Sequence, residues 1–127
     1  MKSLILLAVL LQPLEDFRIS FPLLEYPLVA KQASVQGKVE LSFKVDKSGK
    51  PQMIELISGH PLLAATAKSN LGGWTFYGAK PDKGIKITYV FLLDQRSSGE
   101  KMSYDDAKKT VTITAARPTT QPTSEIR

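Results

Sequence analysis

One histidine, His60, and no cysteine leave this chain little with which to run a reaction. A general base needs a partner that orients it and a substrate proton within reach. His60 instead stands in Ser58-Gly59-His60-Pro61, where a turn or helix-capping role is expected. Cysteine nucleophiles, disulfides and Cys/His zinc sites are excluded by composition, so carboxylates alone remain as metal ligands. The acidic pairs Glu15-Asp16 and Asp105-Asp106 are neighbours in sequence, so their side chains diverge, whereas paired-carboxylate chemistry needs two groups that converge. Gly72-Gly73 lacks the Lys-Ser/Thr and the strand-to-helix setting of a phosphate loop. No catalytic residue, metal ligand or cofactor is expected, and the chain reads as a non-enzyme.

What remains is surface chemistry. Seventeen Lys and Arg against twelve Asp and Glu give a net charge of +5. Lys38, Lys44, Lys47 and Lys50 gather at one predicted hairpin, and Lys80, Lys83 and Lys86 at another turn. One reading is therefore a weakly basic module for anionic envelope polymer, lipid or nucleic acid. Glu40, Asp46 and Asp82 dilute that charge, and Phe43 and Tyr89 fall on faces assigned to the core instead of interleaving with the lysines. Nucleic acid is not the expected partner.

The elements that must carry any site follow from pattern. A chain of 127 residues, 43% of them hydrophobic, suffices for one domain with one core. Met1-Lys2 precedes eight apolar residues, Leu4 to Leu11, which predicts an export segment within residues 1–22 and is too short for a stable membrane span. Pro27 suits a first helical turn, Leu28 to Gln36 continues without Gly or Pro, and Gly37 is expected as its left-handed stop. Lys38 to Val45 alternates strictly and predicts a half-buried strand; Asp46 to Lys50 carries turn residues. Gln52 to Ile57 is then the second arm of a hairpin, with Ile54 and Leu56 inward. Pro61 opens a second helix, with Leu63, Ala67, Leu71 and Trp74 on one stripe. Ile85 to Leu93 is the most apolar strand. Gln95 to Lys108 reads as loop, Lys109 to Ala115 as a further strand at the sheet edge, and 117–127 as a disordered tail. The predicted fold class is α+β: a small antiparallel sheet of three strands plus a fourth, with two helices on one face.

Tyr26-Pro27 with Ala30, Gly37, the alternating strand, Asp46 with Gly49, Ser58-Gly59-His60-Pro61, Ala67 and Trp74-x-Phe76 together resemble the C-terminal domain of the TonB family over about residues 23–93. The resemblance implies a three-stranded sheet with two helices, a periplasmic location, and a protein partner such as a segment of an outer-membrane receptor. It also implies docking of that segment by strand addition at the open edge of the last strand. Here that edge is Ile85, Lys86, Ile87, Thr88, Tyr89, Val90, Phe91 and Leu92, with Tyr26 and the chain just before it as the source of sequence preference. Pro27, Gly37, Gly49, Gly59, His60, Trp74 and Phe76 are then structural members of the motif. A monomer or weak dimer is expected.

Two departures bear on mechanism. Only Gln12 to Glu25 separates the apolar run from the domain, and 14 residues reach at most about 50 Å, so energy transduction across a periplasm is not expected. The added segment 94–116 offers the strand Lys109 to Ala115, which either covers the Ile85 to Leu92 edge or becomes a new docking edge.

Overall fold

The computed structural model describes residues 19–81, 83–97 and 99–117. The expected export segment, up to residue 18, and the expected disordered tail from residue 118 lie outside them. Among the described residues no helix is long and apolar enough to cross a membrane.

Among the described residues nine elements succeed one another: β1 (Ile19–Ser20), α1 (Leu28–Gln32), β2 (Gly37–Val45), β3 (Pro51–Ser58), α2 (Pro61–Leu71), β4 (Thr75–Phe76), β5 (Ile85–Leu93), β6 (Lys101–Asp105) and β7 (Thr110–Ala115). β1 and β4 form a two-stranded clip, and the remaining strands form one sheet in the order β3-β2-β5-β7-β6. Every neighbouring pair in that sheet is antiparallel except β5 and β7, which run parallel.

Alternation along the strands produces one buried face. Val39, Leu41, Phe43 and Val45 of β2 join Ile87, Tyr89, Phe91 and Leu93 of β5 and Val111, Ile113 and Ala115 of β7 in a single core. The helices contribute Ala30, Leu63, Ala64, Ala67 and Leu71 to the same cluster. His60 caps α2, its Nδ1 accepting a hydrogen bond from the Leu62 N–H at 3.0 Å. The β2–β3 turn is organised by Asp46, whose Oδ1 accepts from the Ser48 and Lys50 N–H groups, each at 2.9 Å. Gly49 in that turn has φ 88°, and a Cβ there would lie 2.5 Å from the Phe76 carbonyl oxygen, so a side chain is excluded.

Four expectations need correction. The first helix spans only Leu28–Gln32; Ser34 at φ 56° supplies the left-handed turn, with the Val35 N–H returning to the Ala30 carbonyl at 2.8 Å, while Gly37 opens β2. Leu56 is 44% exposed, although it pairs with inward-facing Leu41, because β3 is the margin of the sheet. Lys101–Asp105, read as loop, is a strand, so the main sheet has five strands, not three or four. Finally, β7 is interior: after β5 the chain runs back as β6, turns, and returns to lay β7 between the two.

Candidate functional site

The backbone groups at the rim of an open sheet are unpaired, so the rims decide where an extended segment can pair. The expected rim, Ile85 to Leu92, is closed on both sides from Thr88 to Phe91. From Ile85 to Phe91 β5 pairs with β2, and Thr88 to Leu93 pairs with Thr110 to Ala115 of β7. Ile87, Tyr89 and Phe91 point into the core, whereas Thr88, Val90 and Leu92 lie on the opposite face with β7 alongside, and Lys86 precedes the first β7 partner. Lys109 to Ala115 is covered in turn by β6.

Among the described residues the outer strands of the main sheet are β3 and β6. The β3 rim is irregular: its pairing with β2 shifts between Glu40 and Leu41 and again between Ser42 and Lys44. Met53, at the second shift, has φ 54° and is 69% exposed. Bulges of this kind kink a strand and blunt an edge against further pairing. The β6 rim is regular, with five successive partners on β7 and no shift.

Which β6 groups are vacant follows from the ladder. The Thr88 N–H donates to the Lys109 carbonyl and the Asp94 N–H to the Ala115 carbonyl, so the odd-numbered residues of β7 turn their backbone groups toward β5. Thr110, Thr112 and Thr114 face β6 instead, opposite Asp105, Ser103 and Lys101. Since backbone direction alternates along a strand, the N–H and C=O of Met102 and Tyr104 point outward.

The same two residues fasten β6 from within. The Tyr104 ring meets Trp74 edge-on at 4.8 Å and Phe21 at 6.0 Å, and Phe21 stacks on Trp74 at 4.6 Å. Burial, together with the hydrogen bond that the Tyr104 hydroxyl donates to Asp106 Oδ1 at 3.0 Å, raises the phenol pKa and keeps it neutral. Asp106 also accepts from Lys109 Nζ at 2.9 Å, which holds its carboxyl below the usual range. Asp105 Oδ1 accepts from the Lys108 N–H, so both acids build the β6–β7 turn.

Tyr26 is buried, and its hydroxyl donates to the Val35 carbonyl. Its N–H donates to Glu100 Oε1 at 2.9 Å, while Glu100 Oε2 accepts from Lys31 Nζ at 2.9 Å. One carboxylate thus ties the chain before α1, and α1 itself, to the start of β6. Between them lies a cavity of about 370 Å³ lined by Leu23, Leu24, Glu25, Glu100, Lys101 and Met102. It shares Leu23, Leu24, Glu25 and Glu100 with a wider depression of about 830 Å³ that runs toward α1 and α2.

The motif residues sit in the scaffold. Trp74 donates from Nε1 to Asn70 Oδ1 at 2.8 Å, the Tyr89 hydroxyl donates to the same oxygen at 2.8 Å, and Asn70 Nδ2 donates to the Pro22 carbonyl at 3.1 Å. Phe76 packs on Trp74 at 5.4 Å, and Pro27 precedes α1. A Cβ on Gly59, at φ 142°, would approach Val39 Cγ2 to 2.9 Å. Glu100, Met102 and Tyr104 lie in the stretch whose composition reads as loop; the alternation of Met102 and Tyr104 with Lys101, Ser103 and Asp105 is the local signal of a strand there.

The fold is an α+β domain with one regular, half-satisfied sheet rim. Its sequence places it further: the family of Gram-negative bacterial TonB protein C-terminal domains matches residues 22–93, and the chain belongs to that family. It is similar to protein TonB of Salmonella typhimurium, with 24% identity over 72 residues, which covers 55% of this chain and 30% of the length of that relative. The family match ends at Leu93, so β6 and β7 lie outside it.

Proposed function

We propose that this chain is an exported, non-enzymatic protein-interaction module of TonB-dependent transport, acting in the periplasm, and that it takes an extended segment of its partner as a sixth strand on the β6 rim. The observation that carries this reading is the outward backbone of Met102 and Tyr104 on an unbroken strand, set against the twice-shifted β3 rim. Membership of the TonB C-terminal family favours a protein partner, an outer-membrane receptor segment being the natural candidate. The added strand moves the rim two places outward from β5 without changing the kind of recognition.

Two residues with outward backbone supply up to four hydrogen bonds. At about 0.5–1.5 kcal/mol net each they contribute roughly 2–6 kcal/mol. Association and ordering costs offset most of that, so contact is brief unless side chains add to it.

The test is site-specific photo-crosslinking in a periplasmic extract, with the crosslinker at Ser103 on the β6 rim or at Glu55 on the β3 rim. Capture from Ser103 that survives Met102→Ala and is lost in Met102→Pro supports strand addition here, because proline removes an outward donor that β7 does not use. Capture from Glu55 alone, or capture indifferent to proline at 102, overturns it.

A further inference from the structure

The side chain that a partner places beside Met102 has a prepared seat. Met102 shares its face of β6 with Tyr104, the face turned toward the core, and at the beginning of the strand this face opens into the cavity of about 370 Å³ described above. Leu23, 83% exposed, stands at its mouth; Leu24 and Met102 form an apolar wall. Apolar surface left at the end of an interaction rim is where an incoming apolar side chain gains most from leaving water.

The lining carries two carboxylates, Glu25 and Glu100, and one ammonium, Lys101. Glu100 is already engaged by Lys31 and by the Tyr26 N–H. Glu25 is exposed and forms no ion pair among the described residues. Lys101 lines the cavity as well, without an ion pair to either carboxylate among the described residues.

We propose that this cavity is the side-chain subsite of the β6 rim, and that it selects an extended segment with an apolar residue beside Met102 and a Lys or Arg two positions away, facing Glu25. The spacing follows from strand geometry, because side chains two residues apart share a face. The apolar residue fills the space between Leu23, Leu24 and Met102, and the cation neutralises a carboxylate that α1 does not reach. This inference rests on strand addition at β6; it adds which sequence the rim prefers.

The experiment uses the full chain as bait for a displayed library of random twelve-residue peptides, followed by affinity measurement on synthetic copies of the enriched sequences. Enrichment of an apolar-x-Lys/Arg pattern, in either direction, is expected. Affinity for those peptides should fall about fivefold in Glu25→Lys and return when the peptide cation is replaced by Glu, since both partners are exposed and an exposed pair is worth little more. Leu23→Ala should weaken the same peptides and leave thermal unfolding unchanged. Enriched peptides without a cation, or with no response to the charge swap, overturn the subsite while leaving the rim intact. Binding that persists in a folded Met102→Pro variant overturns strand addition itself, and a library that yields no binder overturns both.

Discussion

Ile113→Ala tests whether β7 is a built-in strand of the sheet or a flap clipped over the β5 rim. Ile113 is fully buried, paired with Phe91 on one side and Met102 on the other. Truncating such a side chain in a packed core costs about 2–5 kcal/mol, a transfer contribution plus the cavity left behind. A domain of this kind has only about 5–15 kcal/mol in total. Taking a loss of about 3 kcal/mol and a urea dependence of about 1.5 kcal/mol per molar, the unfolding midpoint should fall by roughly 2 M with an unchanged slope. Thr112→Ala, one residue away on the helix-free face, should move it by less than about 0.5 M. The assay is urea unfolding followed by tryptophan fluorescence, since Trp74 is buried in the same core and reports its loss. A shift for Ile113→Ala no larger than that for Thr112→Ala would mean that β7 separates from a core that survives without it. The β5 rim would then be available to partners, and the assignment to β6 would fail.

Asn70→Ala removes the acceptor shared by Trp74 Nε1 and the Tyr89 hydroxyl and should cost about 2–5 kcal/mol in chemical unfolding, because two buried donors are left unpaired. Tyr89 and Tyr104 have phenol pKa values raised by burial, so the stability they contribute is complete below about pH 10, the unfolded value, and is lost as pH rises beyond it. Tyr104→Phe should flatten the alkaline limb of a pH–stability curve. The Asp106 carboxyl is held low by Lys109, so its contribution is present above about pH 4 and declines as pH falls through the depressed value; Asp106→Asn should reduce acid sensitivity in that window. Partner affinity should change by less than about threefold between 50 and 200 mM salt, whereas a surface held by six or more phosphate contacts would lose about a thousandfold or more.

Alternation and punctuation made much of this protein legible without coordinates. Val39 to Val45 and Ile87 to Leu93 face the core because a strand repeats every two residues, and Leu63, Ala67 and Leu71 do so because a helix repeats every 3.6. The ordered motif from Tyr26 to Phe76 carried the family, since its glycines, prolines and aromatics mark turns and packing positions set within a few residues of chain. Tertiary structure alone decided the rim. Whether Thr110 to Ala115 ends the sheet or enters it depends on which backbone groups remain unpaired across 16 residues of intervening chain, and amides are the same whatever side chains flank them. The cavity at β6 was hidden for a related reason: it is closed by a carboxylate at Glu100 reaching an N–H 74 residues away, a contact with no local period to betray it.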